Sequence, residues 1–313
     1  MRLLKGALYS ALILLPILSS TSECRGQTLP VAPELFIDEF VASEGLTFNA
    51  EGRLFIGANR AIWEAKPDGS VELITAVFLH LGQAGIGETD ILAADFGPSS
   101  MLRHGPNDDG IIWRVSPDGR RSIAATGIAD PNFILMEEGG TSYLVSDDFT
   151  HNIYRVALHD GSAGRVELWS DAVPHPNGLA FSLDGKTLYV AQIFTGLAPL
   201  GFSDALWAMP LENGQPAGPA AVVARTGEGG LDGLAVDETG RIYIADNGAG
   251  KIWRFDPESN EMTLVAEGMS SVASLVFGEG DFDAHSIYAT STFGGGGKIW
   301  RIPVGVGGAR PHR

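Results

Sequence analysis

Four oxygen-bearing residues stand at one fixed distance from a glycine in this chain. Glu44 precedes Gly52, Asn132 precedes Gly140, Asn177 precedes Gly185 and Asp232 precedes Gly240, each by eight positions. One such residue is an ordinary turn signal, because Asn and Asp hydrogen-bond to nearby backbone. Four at one spacing, each followed by apolar residues, place side-chain oxygens at the entrance of four equivalent strands. If those strands line one tunnel, two carboxylates and two neutral amides meet at one level. Facing carboxylates repel, so at least one pKa must rise unless a cation lies between them. Oxygen-only ligands carrying two negative charges suit Ca²⁺ first and Mg²⁺ next, with water completing the shell. Mn²⁺ and Zn²⁺ can also use oxygen sites, although zinc prefers His and Cys. The expectation is one divalent cation held by Glu44, Asn132, Asn177 and Asp232.

The elements that must position these residues repeat along the chain. The segments "EGLTFNAEGRLFIGANRAIWEAKPDG", "NGLAFSLDGKTLYVAQ" and "DGLAVDETGRIYIADNGAGKIWRFDP" share one order: an apolar strand, a turn, a second strand and a polar loop. A more diverged copy is "NFILMEEGGTSYLVSDDFTHNIYRV". Where the third strand is present, it closes the unit. In "GRIYIAD" the side chains alternate at period two, as on a strand. The third strand recurs as "AIWEAKPDG", "IIWRVSPDG", "NIYRVALHDG", "ALWAMPLENG", "KIWRFDPES" and "KIWRIPVG", so six units are expected. Their spacing of roughly 40–55 residues suits four-stranded blades, and the predicted fold is all-β, a six-bladed β-propeller over residues 33–305. Two weaker units begin near Asp90 and Ala273, which puts Asp90 in the second unit's equivalent position and leaves the sixth without an oxygen. The segment "PELFIDEF" is expected to close the ring by pairing beside "KIWRIPVG", and "FTGLAPLGFSD" reads as a long loop. Loops around 79–86, 101–109 and 194–203 are expected to shape a pocket.

The chain's opening reads as an export signal over residues 1–22. Arg2 and Lys5 precede an apolar run from Gly6 to Leu18, followed by small polar residues. That run is short for a membrane span, and no similar run follows, so the expected location is periplasmic or extracellular without stable membrane insertion. Cys24 is the only cysteine, which excludes an internal disulfide. A net charge of −17 offers no basic field for phosphates and argues against a nucleic-acid partner. The G-x-S-x-G, Walker and H-E-x-x-H patterns are all absent.

The motifs "SEGLTF", "HPNGLAFSLDGKTLYVAQ" and "GGLDGLAVDETGRIYIADNGAGKIWRFDP", with the closing "SLVFGEG" and "SIYATSTFGGGGKIWRI", resemble the SMP-30/gluconolactonase/LRE (regucalcin-like) family over about residues 40–303. The resemblance implies a single divalent metal on Glu44, Asn177 and Asp232, with Asn132 matching less closely. It also implies a hydrolase of lactones or related esters, with a small-molecule substrate and Asp232 as catalytic base or nucleophile. The third unit reads "DPNFIL" and departs from the Arg-x-Asn-Asp pattern of sugar-lactone-hydrolysing relatives. His175, near Asn177, is a candidate proton relay, and Asp147 and Asp148 either hold a turn or reach the site. A non-catalytic propeller binding a small ligand or protein is the alternative, with a metal-dependent lyase or strictosidine-synthase-like relative behind it.

Overall fold

In the computed structural model, residues 28–99, 105, 107–159, 162–292 and 296–309 are described. The signal segment 1–22, Cys24 and most of the 101–109 loop lie outside them. The described residues contain no helix and form six antiparallel sheets arranged as blades. The innermost strands are Ser43–Phe48, His80–Ile86, Pro131–Met136, Pro176–Phe181, Leu231–Val236 and Val272–Phe277. Five blades run from inner to outer strand in chain order. The sixth takes its outer strand, Glu34–Phe40, from the start of the fold, where it pairs antiparallel with Gly297–Pro303. Ring closure by "PELFIDEF" is thus borne out. The "FTGLAPLGFSD" segment differs from the expected loop: Phe194–Leu197 and Leu200–Phe202 pair as a small separate hairpin.

Burial explains why the units must close on one another. Second strands such as Leu54–Ala58, Ser142–Asp147 and Ser286–Ser291 are buried on both faces. One blade alone would leave those faces in water, whereas neighbouring blades cover them. Between the sixth and first blades the cover is aromatic: Phe48, Phe282 and Tyr288 meet edge to face, with Phe48 and Phe282 centroids 5.1 Å apart. The recurring third-strand Trp has a second task. Its indole N–H donates to the end of the adjacent strand in four blades: Trp63 to the Ala58 carbonyl, Trp113 to Asp95, Trp207 to Gln192 and Trp300 to Ser291. All four acceptors lie at the end of the blade where the inner strand begins. The indoles therefore brace the mouth of the tunnel. Beneath the mouth, the inner strands enclose an apolar cavity of about 240 Å³ lined by Leu46, Phe133, Leu179, Leu234 and Leu275 among others.

Candidate metal centre

Every inner strand breaks its ladder at the same place. The register shifts between Ser43 and Leu46, His80 and Gln83, Pro131 and Ile134, Pro176 and Leu179, Leu231 and Leu234, and Val272 and Leu275. A bulge frees two residues from regular pairing and re-aims their side chains. The first residue inside each bulge is Glu44, Leu81, Asn132, Asn177, Asp232 or Ala273. Four of these six positions carry oxygen, in agreement with the spacing to Gly52, Gly140, Gly185 and Gly240, all of which adopt positive φ.

Two devices hold the bulges in a closed ring. In four blades the next residue is glycine, packed on the following blade's ring backbone. A Cβ on Gly45, Gly82, Gly178 or Gly233 would lie 2.0, 2.5, 2.2 or 2.6 Å from the carbonyl oxygen of Leu81, Asn132, Asp232 or Ala273. The other two blades have Phe133 and Ser274 there and use a hydroxyl instead. Ser146 Oγ accepts from the Phe133 N–H at 3.0 Å and donates to the Asn177 carbonyl at 2.8 Å. Thr290 Oγ1 accepts from the Ser274 N–H and donates to the Glu44 carbonyl. Each ring residue's backbone is thereby tied to its neighbour. Gly178→Ala should cost about 1–3 kcal/mol through overpacking against Asp232. Urea denaturation would show it as a lower midpoint with an unchanged slope; a wild-type midpoint would show that the close approach is not needed.

Among the described residues the ring concentrates negative charge without a balancing base. Asn132, Asn177 and Asp232 are buried, and the Oε2 of Glu44, the Oδ1 of Asn177 and the Oδ1 of Asp148 are buried with no hydrogen-bond partner. Burial, then the charges of Asp232 and Asp148, pushes the Glu44 carboxyl well above its ordinary range. Burial likewise raises Asp232 to about 7, although the Asn247 amide donates to its Oδ2 at 3.0 Å. Asp148 is raised well above 3.8 by burial and by Asp147, despite a 2.9 Å hydrogen bond from Asn132 Nδ2. Among the described residues no Lys or Arg offsets these three groups.

This donor set fits a hard divalent cation. Among the described residues no three His, Cys, Asp or Glu side chains form a metal-holding group by themselves. The fit therefore depends on amide oxygens beside carboxylates, the mixed set that Ca²⁺ accepts and Zn²⁺ disfavours. The buried lone pairs of Glu44 and Asn177 meet no donor among the described residues, and such orphans cost free energy unless something binds them.

The structure corrects two placements and brings Asp148, one of the two aspartates expected to hold a turn or reach the site, to the ring. Asp90 is not at the ring: it opens the second strand of its blade, at the far end from the mouth, and accepts from Arg114 Nε at 2.7 Å. The ring position there is Leu81. The expected 79–86 loop is the inner strand itself, His80–Ile86. Its glycines weaken the strand signal, yet Gly82 and Gly85 are needed where the Asn132 and Phe48 carbonyls approach. Asp148 joins the site through Asn132 and through the charges of Glu44 and Asp232; the "SDD" at the end of its strand was the available signal. His175 adopts positive φ and its Nδ1 lies 3.0 Å from the Asp148 carbonyl, while His151 stacks edge-on to it at 5.4 Å. Burial lowers the His175 pKa, and burial pushes His80 down to about 4 where it fills the space beside Gly57.

Comparison with known proteins agrees with this architecture. Residues 155–293 match a family model described as an SMP-30/Gluconolactonase/LRE-like region. Regucalcin from Xenopus laevis is 27% identical over 133 residues, and regucalcin from Gallus gallus is 27% identical over 132. Each match spans 42% of this chain and 42% of the relative, less than half the length of either. Among solved structures, a gluconolactonase from Xanthomonas campestris superposes with a TM-score of 0.68 at 21% identity, covering 86% of this chain and 88% of its own. A calcium-binding regucalcin from Agrobacterium tumefaciens gives 0.69 at 20% identity, covering 90% of this chain and 97% of its own. These superpositions show the six-bladed propeller, and the family resemblance read from the motifs is borne out.

Proposed function

We propose that this relative of the SMP-30/gluconolactonase/LRE family is a divalent-metal-dependent hydrolase of lactones or related esters. The observation that supports the reading is the orphaned, buried oxygens of Glu44 and Asn177 at bulge positions equivalent to those of Asp232 and Asn132, with the charge of Asp232 acting on Glu44. Glu44, Asn132, Asn177 and Asp232 would hold the ion, Ca²⁺ before Mg²⁺, Mn²⁺ or Zn²⁺, and Asp148 would fix the Asn132 amide. A bound divalent ion supplies Lewis acidity toward a carbonyl oxygen and lowers the pKa of water. Asp232 is the residue we assign to proton transfer. Its Oδ2 is oriented by Asn247, which lies 3.1 Å from Thr292 Oγ1, so the carboxylate is held in one orientation toward the ring. We further propose that residues 33–305 form the catalytic unit, exported to the periplasm or the extracellular space behind residues 1–22.

Chelator-treated protein assayed on γ- and δ-lactones, with each of the four cations restored in turn, tests the reading. The expected result is turnover lost on chelation and recovered most fully with Ca²⁺. Tight cation binding without turnover of any lactone or ester would instead favour a non-catalytic binding propeller.

A further inference from the structure

Among the described residues, the mouth above the ring has two unlike sides. Phe96 follows the mouth-end Asp95, Phe149 follows Asp148, and Phe194 opens the small hairpin. Phe149 and Phe194 stack at 5.8 Å and 9°, Phe96 meets Phe149 edge-on at 5.8 Å, and Phe202 leans on Phe194 at 5.7 Å. This cluster reaches the ring itself, because Leu81, the second blade's ring residue, packs against it. The hairpin is tied to the site by backbone: Ile193 N–H donates to the His175 carbonyl at 3.2 Å, and Ser203 N–H to the Ile193 carbonyl at 2.9 Å. Its outer edge is left open, with Leu200 51% and Phe202 55% exposed. Phe202 and Phe78 are the exposed phenylalanines among the described residues, and both stand at the mouth. The fifth and sixth blades present the opposite character, with Asn247, Thr292 and the Ser271 carbonyl hydrogen-bonded together beside Asp232.

Among the described residues, a polyhydroxylated ligand lying across the second to fourth blades would leave its hydroxyls facing Leu81, Leu197 and Phe202, at a cost. A hydrocarbon substituent would gain from the same surface. We propose that the substrate is an amphipathic lactone or ester whose alkyl or aryl substituent lies along Leu81, Leu197 and Phe202, over the buried Phe149 and Phe194, so that hydrocarbon length sets specificity. The choice of occupant follows from continuity: the apolar surface includes Leu81, the ring position opposite Asp232, so a ligand that spans the ring from Asp232 meets it. This inference rests on the hydrolase reading for the word substrate, but its binding component stands apart.

Two measurements separate them. Calorimetric binding of 2-alkylcyclopentanones, which carry the ring carbonyl but cannot be hydrolysed, tests the apolar surface. Hydrolysis of γ-lactones from valerolactone to dodecalactone, alongside gluconolactone, tests the reaction. Affinity and kcat/KM are expected to rise about threefold per added methylene until the surface is covered. Phe202→Ala with Leu200→Ala should lower the long-to-short ratio about tenfold, while Leu168→Ala on an exposed outer strand should not change it. Equal affinity for the methyl and hexyl ketones would overturn the proposal whatever the turnover, including the case where the same rim residues instead bind phosphatidylcholine vesicles. Chain-length-dependent ketone binding without hydrolysis of any lactone would uphold the apolar site and sink the hydrolase reading.

Discussion

Asp232→Asn is expected to lower kcat/KM for a hydrolysed lactone about a thousandfold without unfolding the propeller. The substitution keeps side-chain shape and leaves an acceptor oxygen for Asn247, which now donates to Asp232 Oδ2. What it removes is the proton acceptor and one of the two ring carboxylates. The effect on stability has the opposite sign. Raising Asp232 from 3.8 to about 7 costs the ion-free fold about 4 kcal/mol at pH 8. Asn carries no such burden, so the ion-free variant should melt higher than the ion-free parent. Steady-state kinetics beside calorimetric melting decide the matter. Activity within tenfold of the parent would remove Asp232 from the chemistry, and a lower melting temperature would show that its carboxylate is stabilising as it stands.

The second large effect is a pH dependence that reverses when the cation is present. Glu44, Asp148, Asp147 and Asp232 all have raised carboxyl pKa values in the folded chain, the last two to about 7. A raised folded pKa means that the native state binds more protons than the unfolded one across the gap. Stability is then fullest below about pH 4 as far as these groups are concerned, and it is lost as pH climbs through 7. In chelator the melting temperature should therefore fall by about 10 °C between pH 5 and pH 8. Saturating Ca²⁺ holds these carboxylates ionised and competes with protons, so its stabilisation should grow with pH over the same window. Melting curves in chelator that are flat or rise with pH would contradict the charge arrangement described for the ring.

How much of this was readable before the fold was known differs between its parts. The blade count was plain, because "IW" and "IY" recur in third strands whose indoles brace the second strands at the mouth. The four oxygen positions were legible through their distance to turn glycines that need positive φ. The second blade broke that rule: its inner strand turns at Gly87, only six residues after Leu81, and the glycines that weaken its strand signal serve contacts with neighbouring blades. Asp90 was consequently placed in the wrong strand. Asp148 was a candidate whose role stayed open between a turn and the site, since its part depends on Asn132 and on charges from residues distant in sequence. The two hydroxyl bridges, Ser146 and Thr290, could be found only once the ring was closed.

The central claim is that Glu44, Asn132, Asn177 and Asp232 share one cation. Calorimetric titration of chelator-stripped protein with Ca²⁺ at pH 7.5 tests it most directly, run on the parent, Glu44→Gln and Asn177→Ala. The expected result is one ion per chain for the parent and affinity at least a hundredfold weaker in each variant. Parent-like affinity in both variants would place the ion elsewhere and contradict the account.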